Sequence, residues 1–124
     1  MPKLLLVADT TWVHNDVLAA LGDPDFEVEI CEDPRQATER VASDPPDVVL
    51  VDMQIGSMGG MAVTRALEDA VAEGEIPEIP VVLLLDRHAD HFLARRAGAS
   101  AALTKPFTPQ DLRLVLTELL PVGG

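Results

Sequence analysis

The run Val48-Val49-Leu50-Val51-Asp52 limits what this chain can fold into more than any other segment. Four consecutive β-favouring residues without polar alternation suit a strand covered on both faces, as in a parallel sheet. An acid closing such a run belongs in a crevice at the strand's carboxyl end. Two further runs end on charge: Leu4-Leu5-Leu6-Val7-Ala8 leads into Asp9, and Ala101-Ala102-Leu103-Thr104 leads into Lys105-Pro106. With the strands parallel, two acids and one lysine converge on one edge of one sheet.

Strand and helix patterns alternate along the whole chain, which favours an open parallel sheet with helices on both sides. Strands are predicted near residues 3–8, 26–31, 47–52, 80–85 and 101–104. The first helix carries an apolar stripe of Val13, Val17, Leu18 and Leu21, with Gly22 where a C-cap stands. Ala37 and Val41 mark a second helix, starting at Pro34 and halted before Pro45-Pro46. Met61, Ala62, Ala66 and Leu67 face a third, and Phe92, Leu93 and Ala97 a fourth. The fifth carries Leu112, Val115, Leu116 and Leu119, with Thr108 as N-cap and Pro109 at the first helical position. Right-handed crossovers make a five-stranded sheet of order 2-1-3-4-5 the natural topology of this (βα)5 sequence, a flavodoxin-like doubly wound α/β sandwich. Its switch point lies between the first and third strands and sets Asp9 beside Asp52 in a ligand crevice.

Composition excludes several classes. The 124 residues suit one domain, expected to span residues 1–120, with 121–124 as a tail or the start of a linker. Net charge is −12, split between −14 over residues 1–86 (4 basic, 18 acidic) and +2 over residues 87–124 (5 basic, 3 acidic). Direct nucleic-acid binding needs clustered Lys and Arg, so it is not expected of this surface. No apolar stretch approaches the ~20 residues of a membrane helix, and the single cysteine, Cys31, reads as a buried free thiol in a reducing cytoplasm.

Two neighbouring carboxylates in a crevice repel unless a proton or a cation lies between them. Mg²⁺ takes oxygen ligands, keeps several waters and commonly uses one or two carboxylates together with phosphate oxygens. Asp9, Asp52 and the backbone carbonyl of Gln54 make a sparse site of that kind. Asp52 then becomes a candidate nucleophile toward a phosphoryl group, with Lys105 pairing a phosphoryl oxygen. The competing reading is that strand-end aspartates only cap the helices that follow.

The whole chain resembles the receiver domains of two-component response regulators. The resemblance is carried by Asp9 after the first strand, by Asp52 ending Val-Val-Leu-Val-Asp, and by Gly60 in Asp-Met-Gln-Ile-Gly-Ser-Met-Gly-Gly. Ala97-Gly98-Ala99 and Lys105-Pro106-Phe107 complete it. It implies Asp52 as phosphoacceptor, Asp9 as a direct Mg²⁺ ligand, Lys105 as the phosphate and carboxylate partner, and a cis Lys105-Pro106 bond. It also implies a sensor histidine kinase or phosphotransfer protein as phosphodonor. A homodimer or an effector would use the fourth helix, fifth strand and fifth helix.

Four positions depart from the family's pattern. Ala8 replaces the first of two acids in the first turn, which implies weaker metal binding. Leu85 stands where a Ser or Thr hydroxyl usually meets the phosphoryl group, and Ala102 where an aromatic side chain usually follows it inward. A charged hydrogen bond contributes ~1.5–3 kcal/mol and allosteric couplings are themselves only ~1–3 kcal/mol, so losing that hydroxyl removes most of the usual switch. Asp86 replaces a small residue, either placing charge near the phosphate or capping the fourth helix. Arg87 and Gln54 stand where receivers tune phosphoryl lifetime, and Arg87 is expected to offset Asp86.

Other residues invite functional readings that compete with plain ones. Trp12 and His14 either overhang the site or pack a loop. His88 and His91, three residues apart, lack a third metal ligand and read as surface histidines. Met53, Met58 and Met61 read as packing. Three functions remain to be separated: a phosphoacceptor receiver, a phosphorylation-independent pseudo-receiver acting as an interaction module, and a flavin or nucleotide binder. The last is disfavoured because Thr10-Thr11-Trp12-Val13-His14-Asn15 lacks a phosphate-cradling glycine. No enzyme activity is expected beyond self-phosphorylation from small donors and slow hydrolysis of the product.

Overall fold

Continuous apolar runs become the strands of a single parallel sheet in the computed structural model, which describes residues 2–21, 26–56 and 59–120. The strands are β1 (Lys3–Val7), β2 (Glu27–Cys31), β3 (Val48–Asp52), β4 (Val81–Leu85) and β5 (Ala101–Thr104). The helices are α1 (Thr11–Leu21), α2 (Ala37–Ser43), α3 (Gly60–Ala72), α4 (His91–Arg96) and α5 (Pro109–Leu119). Strand order is β2-β1-β3-β4-β5, all pairings parallel, so the flavodoxin-like fold and its order are as the sequence predicts. The expected cap at Gly22, Met58 and the tail 121–124 lie outside the described residues.

Side chains alternate across the sheet with period two and build two cores. Leu5, Val7, Val49, Val51, Val81, Leu83 and Leu85 point to the side covered by α2, α3 and α4. Leu4, Leu6, Val48, Leu50, Val82 and Leu84 point to the side covered by α1 and α5. β3 and β4 are buried at every position, whereas the edge strands β2 and β5 are mostly half-buried. Cys31 is a buried free thiol whose Sγ donates to the Asp33 carbonyl at 3.2 Å, and burial raises its pKa above the ordinary thiol value.

Several helix faces differ from the periodicity reading. In α1, Leu18 is exposed and Ala20 takes its place in the core. The buried face of α3 is Val63, Leu67 and Ala70 with Thr64, while Met61, Ala62 and Ala66 flank it. In α4, Phe92 and Leu93 are 57% and 49% exposed, and Ala94 packs into the core on that side of the sheet, with Asp90 and Ala97 buried just outside the helix ends, Ala97 as expected. A 3₁₀ turn, His88–Asp90, precedes α4 and sets its rotation, and alanines let the six-residue helix lie close to the sheet. Pro34 begins a 3₁₀ turn (Pro34–Gln36) capped by Asp33, so α2 starts three residues later than expected.

The start of α5 is specified locally. Thr108 Oγ1 accepts from the Asp111 amide at 3.0 Å, Asp111 Oδ2 accepts from the Thr108 amide at 3.2 Å, and Pro109 follows the cap. Thr108→Ala removes half of this reciprocal pair and is expected to cost about 1 kcal/mol, read as a lower urea midpoint at unchanged slope.

Candidate functional site

Parallel register places the charged strand ends together. β1 and β3 pair with Val7 opposite Val51, so the chain beyond each strand emerges at neighbouring points. The Met53–Gly56 turn then touches both acids: the Gly56 amide donates to Asp9 Oδ2 at 2.9 Å and the Gln54 amide to Asp52 Oδ1 at 3.3 Å. Asp9 is exposed and Asp52 buried, its side chain only 2% accessible.

Lys105 enters from the next side of the crevice. β4 and β5 pair with Leu85 opposite Thr104, so Asp86 and Lys105 are the first residues past their strand ends. Lys105 Nζ, on a side chain 7% exposed, donates to Asp52 Oδ1 at 2.6 Å and lies 3.0 Å from Asp86 Oδ1. The Lys105-Pro106 bond is cis, as expected. Trp12 sits on the first turn of α1 rather than in a loop, with its ring centroid 5.5 Å from Lys105 Nζ, so it does overhang the site. His14 Nε2 donates to the Ala8 carbonyl at 2.6 Å and ties α1 to the turn carrying Asp9.

The donor chemistry suits a hard cation. Among the described residues, both contacts to Asp52 fall on Oδ1 and none on Oδ2. Two carboxylates and a turn carbonyl are oxygen donors, the kind Mg²⁺ prefers, and no cluster of three His, Cys, Asp or Glu among the described residues offers a fuller cage. Asp9, Asp52 and Gln54 are the residues that would hold such an ion.

One of the two open readings of Asp86 is removed, and one expectation is corrected. Asp86 does not cap the fourth helix: the residue before the turn is Arg87, without a side-chain cap, and the Asp86 carboxylate is drawn to Lys105. Arg87 does not offset Asp86 either, because its guanidinium binds Asp90 Oδ1 at 3.1 Å. Asp90 is nearly buried and so the more favourable partner. Leu85 is fully buried and Ala102 half-buried, and His91 donates or accepts at Thr104 Oγ1, 3.0 Å away, with its ring 4.7 Å from that of His88. Asp86 is among the residues that sequence reasoning left undecided; the register of the folded sheet sets it one residue past β4, opposite Lys105 one residue past β5.

Residues 4–117 match the response regulator receiver domain family. The chain belongs to that family. Among curated proteins, this receiver domain is 30% identical over 118 residues to response regulator MprA of Mycolicibacterium vanbaalenii, covering 95% of this chain and 50% of that protein. It thus spans about half the length of the curated relatives it matches. Among solved structures it superposes on chemotaxis response regulator CheY4 of Vibrio cholerae with TM-score 0.83 at 26% identity, covering 97% of this chain and 99% of that one. It also superposes on the BeF3-activated N-terminal receiver domain of RstA from Klebsiella pneumoniae, with TM-score 0.80 at 30% identity over 94% of this chain and 96% of that one. Receiver domains of this family act in two-component systems, bind Mg²⁺ and interact with histidine kinases and effectors. In this receiver domain no helix among the described residues is long and apolar enough to cross a membrane.

Proposed function

We propose that Asp52 accepts a phosphoryl group from a phosphohistidine of a sensor histidine kinase or phosphotransfer protein, and that this changes which partner the domain binds. The observation that carries the reading is a buried carboxylate at the end of β3 in contact with a buried ammonium, Lys105, at 2.6 Å. In the transfer, an Asp52 oxygen forms a bond to phosphorus as the phosphorus–nitrogen bond of the donor breaks, and the leaving imidazole keeps the electron pair and takes up a proton. Lys105 pairs the incoming phosphoryl oxygens, and Trp12 covers one side of the approach. Mg²⁺ held by Asp9, Asp52 and the Gln54 carbonyl would screen the charge that gathers there. Residues 1–120 form the receiver unit in this reading, working in a cytoplasm where Cys31 stays reduced.

Incubation with acetyl phosphate and Mg²⁺ is expected to add the mass of one phosphoryl group, and a chelator to abolish the addition; intact-mass spectrometry reads both. No added mass at high millimolar Mg²⁺ would leave the second reading, an interaction module independent of phosphorylation. That reading draws on Leu85 and Ala102, which provide no hydroxyl and no aromatic ring beside the crevice. It also draws on the exposed Phe92 and Leu114, which place apolar surface on α4 and α5 for an effector or a second copy.

A further inference from the structure

Lys105 is shared between two carboxylates of unequal freedom. Asp52 is held at the end of a buried strand, whereas the Asp86 side chain is 33% exposed and heads the segment leading into α4. Asp86 can exchange Lys105 for water without uncovering core; Asp52 cannot. Among the described residues no arginine pairs with it, and Arg87 is engaged by Asp90 at 3.1 Å.

We infer that Asp86 is an internal counter-anion for Lys105, displaced when Asp52 takes up a phosphoryl group, so that the β4–α4 segment moves outward from the site. The inference rests on the reading of Asp52 as phosphoacceptor. Counting charge gives its direction. A divalent cation and Lys105 supply three positive charges, Asp9 and Asp52 supply two negative ones, and Asp86 brings the set to neutrality. A phosphoryl group raises the charge at Asp52 to about two negative units. Asp9 and phosphorylated Asp52 then balance the cations alone, and Asp86 becomes a surplus anion beside a new one that competes for the same ammonium. A hydroxyl at the end of β4 would be drawn toward that group; a carboxylate one residue later is repelled by it. Buried Leu85 has no donor to oppose the movement.

The experiment is a titration with beryllofluoride and Mg²⁺, followed by Trp12 fluorescence and by amide NMR of residues 86–90, on the unaltered protein, Asp86→Asn and Asp52→Asn. Asp86→Asn keeps the shape and removes the charge, and is expected to bind beryllofluoride roughly five- to tenfold more tightly. In the unaltered protein the amides of residues 86–90 are expected to shift on binding toward the positions they already hold in free Asp86→Asn. Affinity within twofold of the unaltered protein, or weaker, overturns the displacement, as do unmoved amides. Binding that persists in Asp86→Asn and vanishes in Asp52→Asn would then leave the phosphoacceptor reading standing. Absence of binding to both the unaltered protein and Asp86→Asn overturns the two together.

Discussion

Asp52→Asn is expected to abolish acquisition of a phosphoryl group from acetyl phosphate while leaving the fold intact. An amide oxygen retains the shape that receives Lys105 and the Gln54 amide, but it lacks the charge and nucleophilicity that attack phosphorus. Stability pulls two ways. Removing one partner of a buried ion pair costs as much as ~3–5 kcal/mol when the other is stranded. Lys105, however, is not stranded, because Asp86 stands 3.0 Å away, and repulsion between Asp9 and Asp52 is relieved. The thermal midpoint is therefore expected to stay within about 5 °C of the unaltered protein. The pair of readouts, intact mass and melting, separates a lost acceptor from an unfolded domain. A variant that still gains one phosphoryl mass would show that the acceptor is another group.

Gly60→Ala is expected to be among the most destabilising single changes available, about 2–3 kcal/mol, although it adds one methyl group. A Cβ at Gly60 would lie 2.7 Å from the Asp52 carbonyl oxygen, 2.8 Å from Met53 Cα and 3.0 Å from Leu83 Cδ2. Two of these are backbone atoms at the end of β3 and cannot rotate away. The Gly60 amide also donates to the Met53 carbonyl at 2.9 Å, so α3 is drawn against the strand that carries Asp52. Urea unfolding should show a lower midpoint at unchanged slope, and the displaced strand end should slow phosphoryl uptake as well. Gly74→Ala is the contrast: its φ of +78° makes alanine strained, but no atom of the described residues lies within 4 Å, so a cost of ~1 kcal/mol is expected. A loss at Gly60 no larger than that at Gly74 would show that small shifts relieve the close approach, because Gly60, unlike Gly74, has no positive φ.

The parts of the fold legible in the sequence were those set by burial on both faces. Val48 to Val51 and Val81 to Leu85 have no polar alternation because helices cover both sides of the central strands. Local chemistry also reads directly, as in the Thr108 cap, where every partner lies within three residues. The apolar faces of α3 and α4 were less legible. Phe92 and Leu93 are more hydrophobic than Ala94, yet Ala94 is the one that packs into the core against the sheet. Hydrophobicity says which residues prefer burial, while the rotation of a short helix is set by the turn that enters it and by how closely it must pack.

The same division runs through the site. Asp9, Asp52 and Lys105 could be assigned to one rim from the chain alone, because each ends an apolar run and parallel strands carry all such ends to the same edge. Which carboxylates Lys105 would choose was decided only by the folded structure. That choice depends on β4 and β5 pairing with Leu85 opposite Thr104, and on Arg87 being claimed by Asp90. Register and competition among charges are properties of elements brought together across the sheet, so no local pattern of residues encodes them.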